Sequence, residues 1–295
     1  MKQLLWFLSC LPLGAVGQAL PPANHSAAQP ASSPVERQAP TNWMNAQIKT
    51  VGQFVERFNT TTHPRAASDS IATLWSLFNE DDSRLRTPKN GPASAYRQRV
   101  TQFIEALMES PKPLSRPLTL LARTDFRVIY NKHPDTLRIY LQKRYRTDSA
   151  AYWQVIGTDP LPKMSGKKFI TSKGIGNADT LRREFLPPNA HEVAFLPLLR
   201  GITETRSLLR FMPDRVKPTN NEQRLETIIH AGNLTIETSI RTIMYLDTGW
   251  GWVLQLEEFV REKANSGWLI TDLFDTYTLS TLPTHIRTAV QPKKP

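Results

Sequence analysis

The chain has 295 residues and one cysteine, and its 37 Lys and Arg outnumber its 26 Asp and Glu to give a formal net charge of +11. One Cys excludes an internal disulfide framework and any cluster of thiolate metal ligands, so folding must rest on core packing, for which this length suffices. The positive charge invites a nucleic-acid reading, but Lys and Arg are spread along the whole chain without helix-turn-helix spacing, zinc-ligand spacing or an aromatic RNP-like strand. No nucleic-acid partner is therefore expected; an envelope protein or an anionic glycan is, with a solvated basic surface as the plain alternative.

In chain order, Lys2 precedes an apolar run from Leu4 to Val16, interrupted by Ser9, Cys10 and Gly14, and Ala15-Val16-Gly17 supplies small residues at a cleavage site. This pattern predicts a signal peptide over residues 1–17, with export to a periplasm or the outside. The run is too short to cross a hydrocarbon core of about 30 Å, and no later segment is long and apolar enough, so no transmembrane span is predicted. Leu8-Ser9-Cys10 partly resembles a lipobox, which makes a lipid anchor on Cys10 the alternative. Cleavage removes the only Cys, and an exported chain without disulfides fits a bacterial envelope.

Residues 18–41, with Pro30, Pro34 and Pro40 among Ala, Ser and Gln, have the composition of a disordered linker. A helix is expected from Thr41 or Asn42 to about Asn59, with Trp43, Ile48, Val51, Phe54, Val55 and Phe58 on one side. A second fits Ser70 to Phe78 through Ile71, Leu74, Trp75 and Phe78. A third follows Ser94 with Tyr96, Val100, Phe103, Ile104 and Leu107, and Pro111 and Pro113 stop it. The period then changes to 2: strands are expected over Leu118–Asn131, Leu137–Arg146 and Tyr152–Thr158, with a turn at Lys132–Thr136. In the middle strand Leu137, Ile139, Leu141 and Tyr145 alternate with Arg138, Tyr140, Gln142, Arg144 and Arg146, which predicts one buried face and one exposed basic face.

Residues 161–188, rich in Pro, Gly and Lys, are read as a linker. A helix from Asn189 is expected to carry Val193, Leu196, Leu199, Ile202 and Leu209, with Pro197 kinking it or delaying its start. Strands follow over Arg224–His230, Leu234–Leu246, Trp252–Arg261 and Trp268–Phe274, with Gly249 and Gly267 at turns that need positive φ. Residues 284–295 are read as a tail. The predicted fold is α+β in two units, residues 42–160 and 189–283, each with helices followed by a curved antiparallel β-meander.

Val55-Glu56-Arg57-Phe58-Asn59 at the end of the first helix and Gly267-Trp268-Leu269-Ile270-Thr271-Asp272-Leu273 in the last strand resemble the opening helix and final strand of cystatin-like and nuclear-transport-factor-2-like domains. That resemblance implies small-ligand cavities or protein-interaction modules, and in a minority of members catalysis. No acid–base pair of the family can be matched to definite positions here.

Catalytic motifs do not survive inspection. His191-Glu192 lacks the second His of a zinc-protease helix because Phe195 stands there, and Gly174-Ile175-Gly176 lacks the third Gly of a dinucleotide loop. No catalytic residue, metal ligand or cofactor is assigned. His230 with Glu258 or Asp272 could exchange a proton if the three faced one cavity; otherwise His230 ends a strand beside solvent and the acids lie on an exposed face. Binding candidates are Trp250, beside a turn and suited to stacking or to anchoring a partner, and Tyr140 with Arg138 and Arg144, suited to an anion. The sequence therefore predicts a non-catalytic binding or assembly protein of the cell envelope, with a cavity-type hydrolase or isomerase using a His/carboxylate pair as the alternative.

Overall fold

The structure, a computed structural model, describes residues 50–62, 70–86, 91–114, 118–147, 150–161, 183–214, 217–261 and 265–291, all within the contact unit Asn42–Pro295. The segments read in sequence as a signal peptide (1–17) and a linker (18–41), together with Trp43, Ile48 and most of 161–188, lie outside these residues.

Helix α1, Val51–Thr61, starts at Thr50, whose hydroxyl accepts the Gln53 N–H at 3.1 Å while the Gln53 side chain accepts the Thr50 N–H at 3.1 Å. This reciprocal pair satisfies two amides that the first turn leaves without partners. Val51, Phe54, Val55 and Phe58 form its buried side. Helix α2, Ser70–Trp75, is shorter than expected: Phe78 leaves it to bridge a strand, and Ile71 is exposed rather than part of the core. Helix α3, Ala95–Glu109, begins at the Ser94 cap and buries the five expected apolar residues.

The strands are β1 Thr119–Tyr130, β2 His133–Tyr145, β3 Ala151–Thr158, β4 Leu234–Asp247, β5 Val253–Phe259 and β6 Gly267–Phe274. They form one open sheet in the order β3-β2-β1-β4-β5-β6, antiparallel throughout. With six α-helices among the described residues, the fold is α+β. Each meander starts at the sheet centre and steps outward, and β1 pairs with β4 from Thr119↔Asp247 to Tyr130↔Leu234. The β1–β2 turn is tighter than predicted: Asn131 (φ 48°) and Lys132 (φ 67°) make a two-residue connection and His133 already belongs to β2. Gly249 (φ 76°) and Gly267 (φ 94°) have the positive φ expected of them.

Between the meanders the first helix starts late, one of the two outcomes expected of Pro197, and a second element departs from expectation. The predicted helix from Asn189 is a 3-10 turn, Ala190–Val193, followed by Ala194 (φ 49°) and Phe195 (φ 57°), and only then helix α4, Leu196–Thr205, with Pro197 in its first turn. The two left-handed residues reset the helical phase, so Val193 and Leu196 are exposed while Leu198 and Ile202 are buried. Arg224–His230 is not a strand but the larger part of helix α5, Asn220–His230. Thr219 and Glu222 cap it reciprocally, and Leu225, Ile228 and Ile229 are spaced to face the core as a helix.

Neighbouring residues on a strand face opposite ways, so Leu120 and Leu121, or Met244 and Tyr245, enter different cores. The larger core joins Leu120, Met244 and Leu254 to the buried sides of α1 to α5. The smaller one gathers Leu121, Tyr140, Ile243, Tyr245 and Val253 under helix α6, Thr284–Val290, whose Ile286 is fully buried. Part of the segment read as a tail is thus a helix that covers part of the sheet face expected to be open. Gly157 makes room for the His285 ring, since a Cβ there would clash with it. Loops meet both sheet edges: Ile270 N–H donates to the Leu77 carbonyl at 2.8 Å on β6, and Trp153 N–H donates to that of Leu186 at 3.0 Å on β3.

Candidate functional site

Trp153 braces two residues that line a cleft, Pro188 and His191. It is fully buried on β3, pairs with Leu186 through both backbone bonds, and its indole N–H donates to the Pro188 carbonyl at 3.1 Å. Its ring meets Phe195 edge-on at 5.2 Å and His191 at 5.6 Å. The left-handed Ala194-Phe195 step turns the chain back so that Phe195 reaches this ring. His191 is thereby held against the sheet with 7% of its surface accessible.

The cleft has a volume of about 860 Å3, within the range of about 300–1,000 Å3 usual for small-molecule sites. Val51, Val55, Leu118 and Leu120 give it an apolar wall, and Lys143, Arg146 and Glu192 line it as charged groups. His191 also lines it. Burial, and secondarily the Lys143 charge, push the His191 imidazolium down to about 4, against a smaller upward pull from its hydrogen bond to the Pro188 carbonyl. The ring is therefore neutral near pH 7. Its Nδ1 is buried without a hydrogen-bond partner.

The binding residues singled out from sequence fall at three places. Arg138 and Tyr140 converge on Asp159: Arg138 lies 3.6 Å from its carboxylate and the Tyr140 hydroxyl donates to it at 3.0 Å. Tyr140 is not on an open face, however. It is buried beneath α6, 4.9 Å from the His285 ring, and burial followed by the Asp159 charge raises its hydroxyl far above the ordinary value. Arg138, also 3.9 Å from Asp125, belongs to a run of paired charges that includes Arg123–Asp125 and Arg241–Glu257 on the same sheet face. Arg144 is exposed further along β2. Trp250 sits in the β4–β5 loop, half-buried and stacked on Phe103 at 5.9 Å, with Lys112 Nζ 5.8 Å from its ring. Trp252 meets the same Phe103 edge-on at 5.1 Å, so both tryptophans serve the core.

The His230, Glu258 and Asp272 set does not assemble as strand neighbours, because His230 ends α5 while Asp272 pairs with Arg84 at 3.3 Å and Arg99 at 3.5 Å. Among the described residues, no group of three His, Asp or Glu side chains converges as a metal site, and no helix is long and apolar enough to cross a membrane. His191 was inspected in sequence only as part of a failed protease motif; its burial comes from Trp153 and the 186–195 segment, which no local pattern announces. No family model, curated protein or solved structure matches the chain.

Proposed function

We propose that this protein is exported and acts as a binding or assembly protein of the cell envelope, holding a ligand or partner without transforming it. The cleft beside Trp153 carries the reading, because it joins an apolar wall to charged groups at a volume suited to a small molecule. An imidazole that loses its proton near pH 4 is poorly matched to acid–base work at neutral pH, which favours holding over turnover. The exposed Arg138 and Arg144 offer a second, basic surface to an envelope protein or anionic glycan. Export rests on the pattern of residues 1–17, with lipid anchoring through Cys10 as the alternative. The two-unit organisation and the cystatin-like or nuclear-transport-factor-2-like relation draw support from the order of elements: α3 precedes β1, α5 precedes β4, and each meander runs outward from the centre.

The test is native mass spectrometry of the chain purified from a cell envelope. A constant mass increment that disappears in Gly52→Trp, which fills the cleft from an exposed position, is the expected result; no increment in either protein refutes ligand holding. His191 and Glu192 line the same cleft, which favours one second reading, the His/carboxylate hydrolase or isomerase. Turnover of an ester or ketone panel that is lost in both His191→Gln and Glu192→Gln would establish it.

A further inference from the structure

β4 pairs with β1 along its whole length, but its pairing with β5 stops at Ile243↔Glu257. From Leu234 to Thr242, among the described residues, no strand lies on the other side of β4, and Thr235, Glu237, Thr238, Ile240 and Arg241 are exposed. About half of the N–H and C=O groups of such a segment point to the open side, where water or another strand must bond them. We infer that this edge pairs antiparallel with the same edge of a second copy of the chain, joining two sheets about a two-fold axis. The inference is independent of the cleft beside Trp153, none of whose lining residues belongs to β4.

Sheet edges are ordinarily blunted by bulges and charges. β4 has both, since Glu237 and Ile240 have no partner on β1 and Glu237 and Arg241 are charged. The two charges are opposite in sign, however, and this selects the partner. When the two open segments align end to end, Thr238 faces its own counterpart, and Glu237 stands opposite Ser239 of the second copy, one pleat from that copy's Arg241. Long side chains reach across such a diagonal, so each Glu237 gains a cation that a strand of unrelated sequence would not supply. Arg241 already holds Glu257, but its side chain is 51% exposed and has room for a second carboxylate. Ile240 is no guard at all: an isoleucine 51% exposed on an open edge invites cover. In the same register it stands opposite Ile236 of the second copy, which with Ile202, Ile229 and Leu234 lines a hollow of about 250 Å3. Covering Ile240 and this hollow removes apolar surface from water on both copies. One strand pair is a small contact, so the association is weak and depends on concentration.

Sedimentation velocity of the chain purified from a cell envelope, over about 1–300 µM, tests this. A monomer–dimer equilibrium with a Kd on the order of 10–100 µM is expected, as suits an interface below about 1,200 Å2. Ile240→Lys sets a cation beside the hollow and should weaken the dimer by about tenfold or more, with the melting temperature of the monomer unchanged because the residue is exposed there. Glu237→Lys should weaken it too, through repulsion from Arg241 of the second copy. Thr238 lies on the axis, where facing Cα atoms are about 4.5–5.5 Å apart, a separation that a disulfide spans. Thr238→Cys should therefore cross-link to itself under mild oxidation, and Arg144→Cys, on an exposed residue of another strand, markedly less. A chain that stays monomeric throughout the range, a dimer indifferent to Ile240→Lys, or equal cross-linking of the two cysteine variants overturns the inference. So does a monomeric chain that retains a different protein only while Ile240 is present, since the edge would then serve a foreign strand.

Discussion

The buried imidazole of His191 makes a quantitative demand on stability. In the folded chain it loses its proton near pH 4, against about 6.5 for the free side chain. Because the folded value is the lower one, the unfolded chain binds a proton first as pH falls. Stability is therefore intact above about pH 6.5 and declines as pH drops towards 4, below which both states are protonated and nothing further is lost. At about 1.4 kcal/mol per unit, the 6.5-to-4 interval corresponds to about 3 kcal/mol. Carboxylates titrate over part of the same range, so the quantity to measure is a difference between proteins. Urea unfolding of the native chain and of His191→Gln, at several pH values from 7 to 4, should give a curve flatter by about 3 kcal/mol for the variant. Lys143→Met should recover a smaller part by removing the neighbouring positive charge. Parallel curves for the native protein and His191→Gln would refute the reasoning, since the ring would then titrate alike in both states.

Three further outcomes follow from the packing. Gly157→Ala places a methyl group against the His285 ring, so that ring must shift from its place beside Tyr140; a loss of about 1–3 kcal/mol in urea unfolding is expected, and unchanged stability would contradict the contact. Glu226 is buried and accepts the N–H groups of Leu208 at 2.7 Å and Leu209 at 3.2 Å. Glu226→Ala should cost roughly 2–4 kcal/mol in urea unfolding and Glu226→Gln, which keeps an acceptor oxygen, distinctly less; equal losses would mean that the amides find other partners. Burial raises the hydroxyls of Tyr96, Tyr140 and Tyr245, the last to about 12. The stability this contributes is present below the ordinary tyrosine value near 10 and is lost as pH rises beyond it, so their tyrosinate absorbance should appear only with alkaline unfolding. A single titration step shared by all seven tyrosines would count against it.

Elements with strong local signals were readable in the sequence. Ser94 followed by Tyr96, Val100, Phe103, Ile104 and Leu107 leaves little freedom for α3, and alternation is legible in the middle of β2, where Leu137 and Ile139 are buried and Arg138 is exposed; β1 and β3 read as strands through their β-branched and aromatic content, since both of their faces hold buried residues. α5 was misread because Thr227, Ile228 and Ile229 form a short β-branched run, for which helix and strand patterns compete. Thr219 and Glu222 at capping-box spacing was the signal that separates them. The pairing of β1 with β4 joins segments more than a hundred residues apart and depends on no local pattern. The burial of Tyr140 has the same origin: alternation assigned it to a face, but only α6, contributed by a segment that reads as a tail, decides that this part of the face is covered.

The candidate site was hidden for a related reason. No single element contains it: α1 contributes its first turn, β2 its last residues, and the 186–195 segment a histidine that is in place only once Trp153 is buried. That segment includes two consecutive left-handed residues, Ala194 and Phe195, each costing roughly 1–2 kcal/mol relative to ordinary helical backbone. The Trp153 contacts offset this, since Phe195 is fully buried against the indole and Leu186 is tied to the β3 edge by two backbone hydrogen bonds. A molecule seated in the cleft would touch all three pieces at once, and so would add free energy to a conformation the chain otherwise holds at some cost. On this reasoning ligand binding and the ordering of residues 186–195 are one event: slower hydrogen exchange at Trp153, Leu186 and Phe195 should accompany saturation with the ligand, and exchange there that ignores the ligand would separate the cleft from the strain beside it.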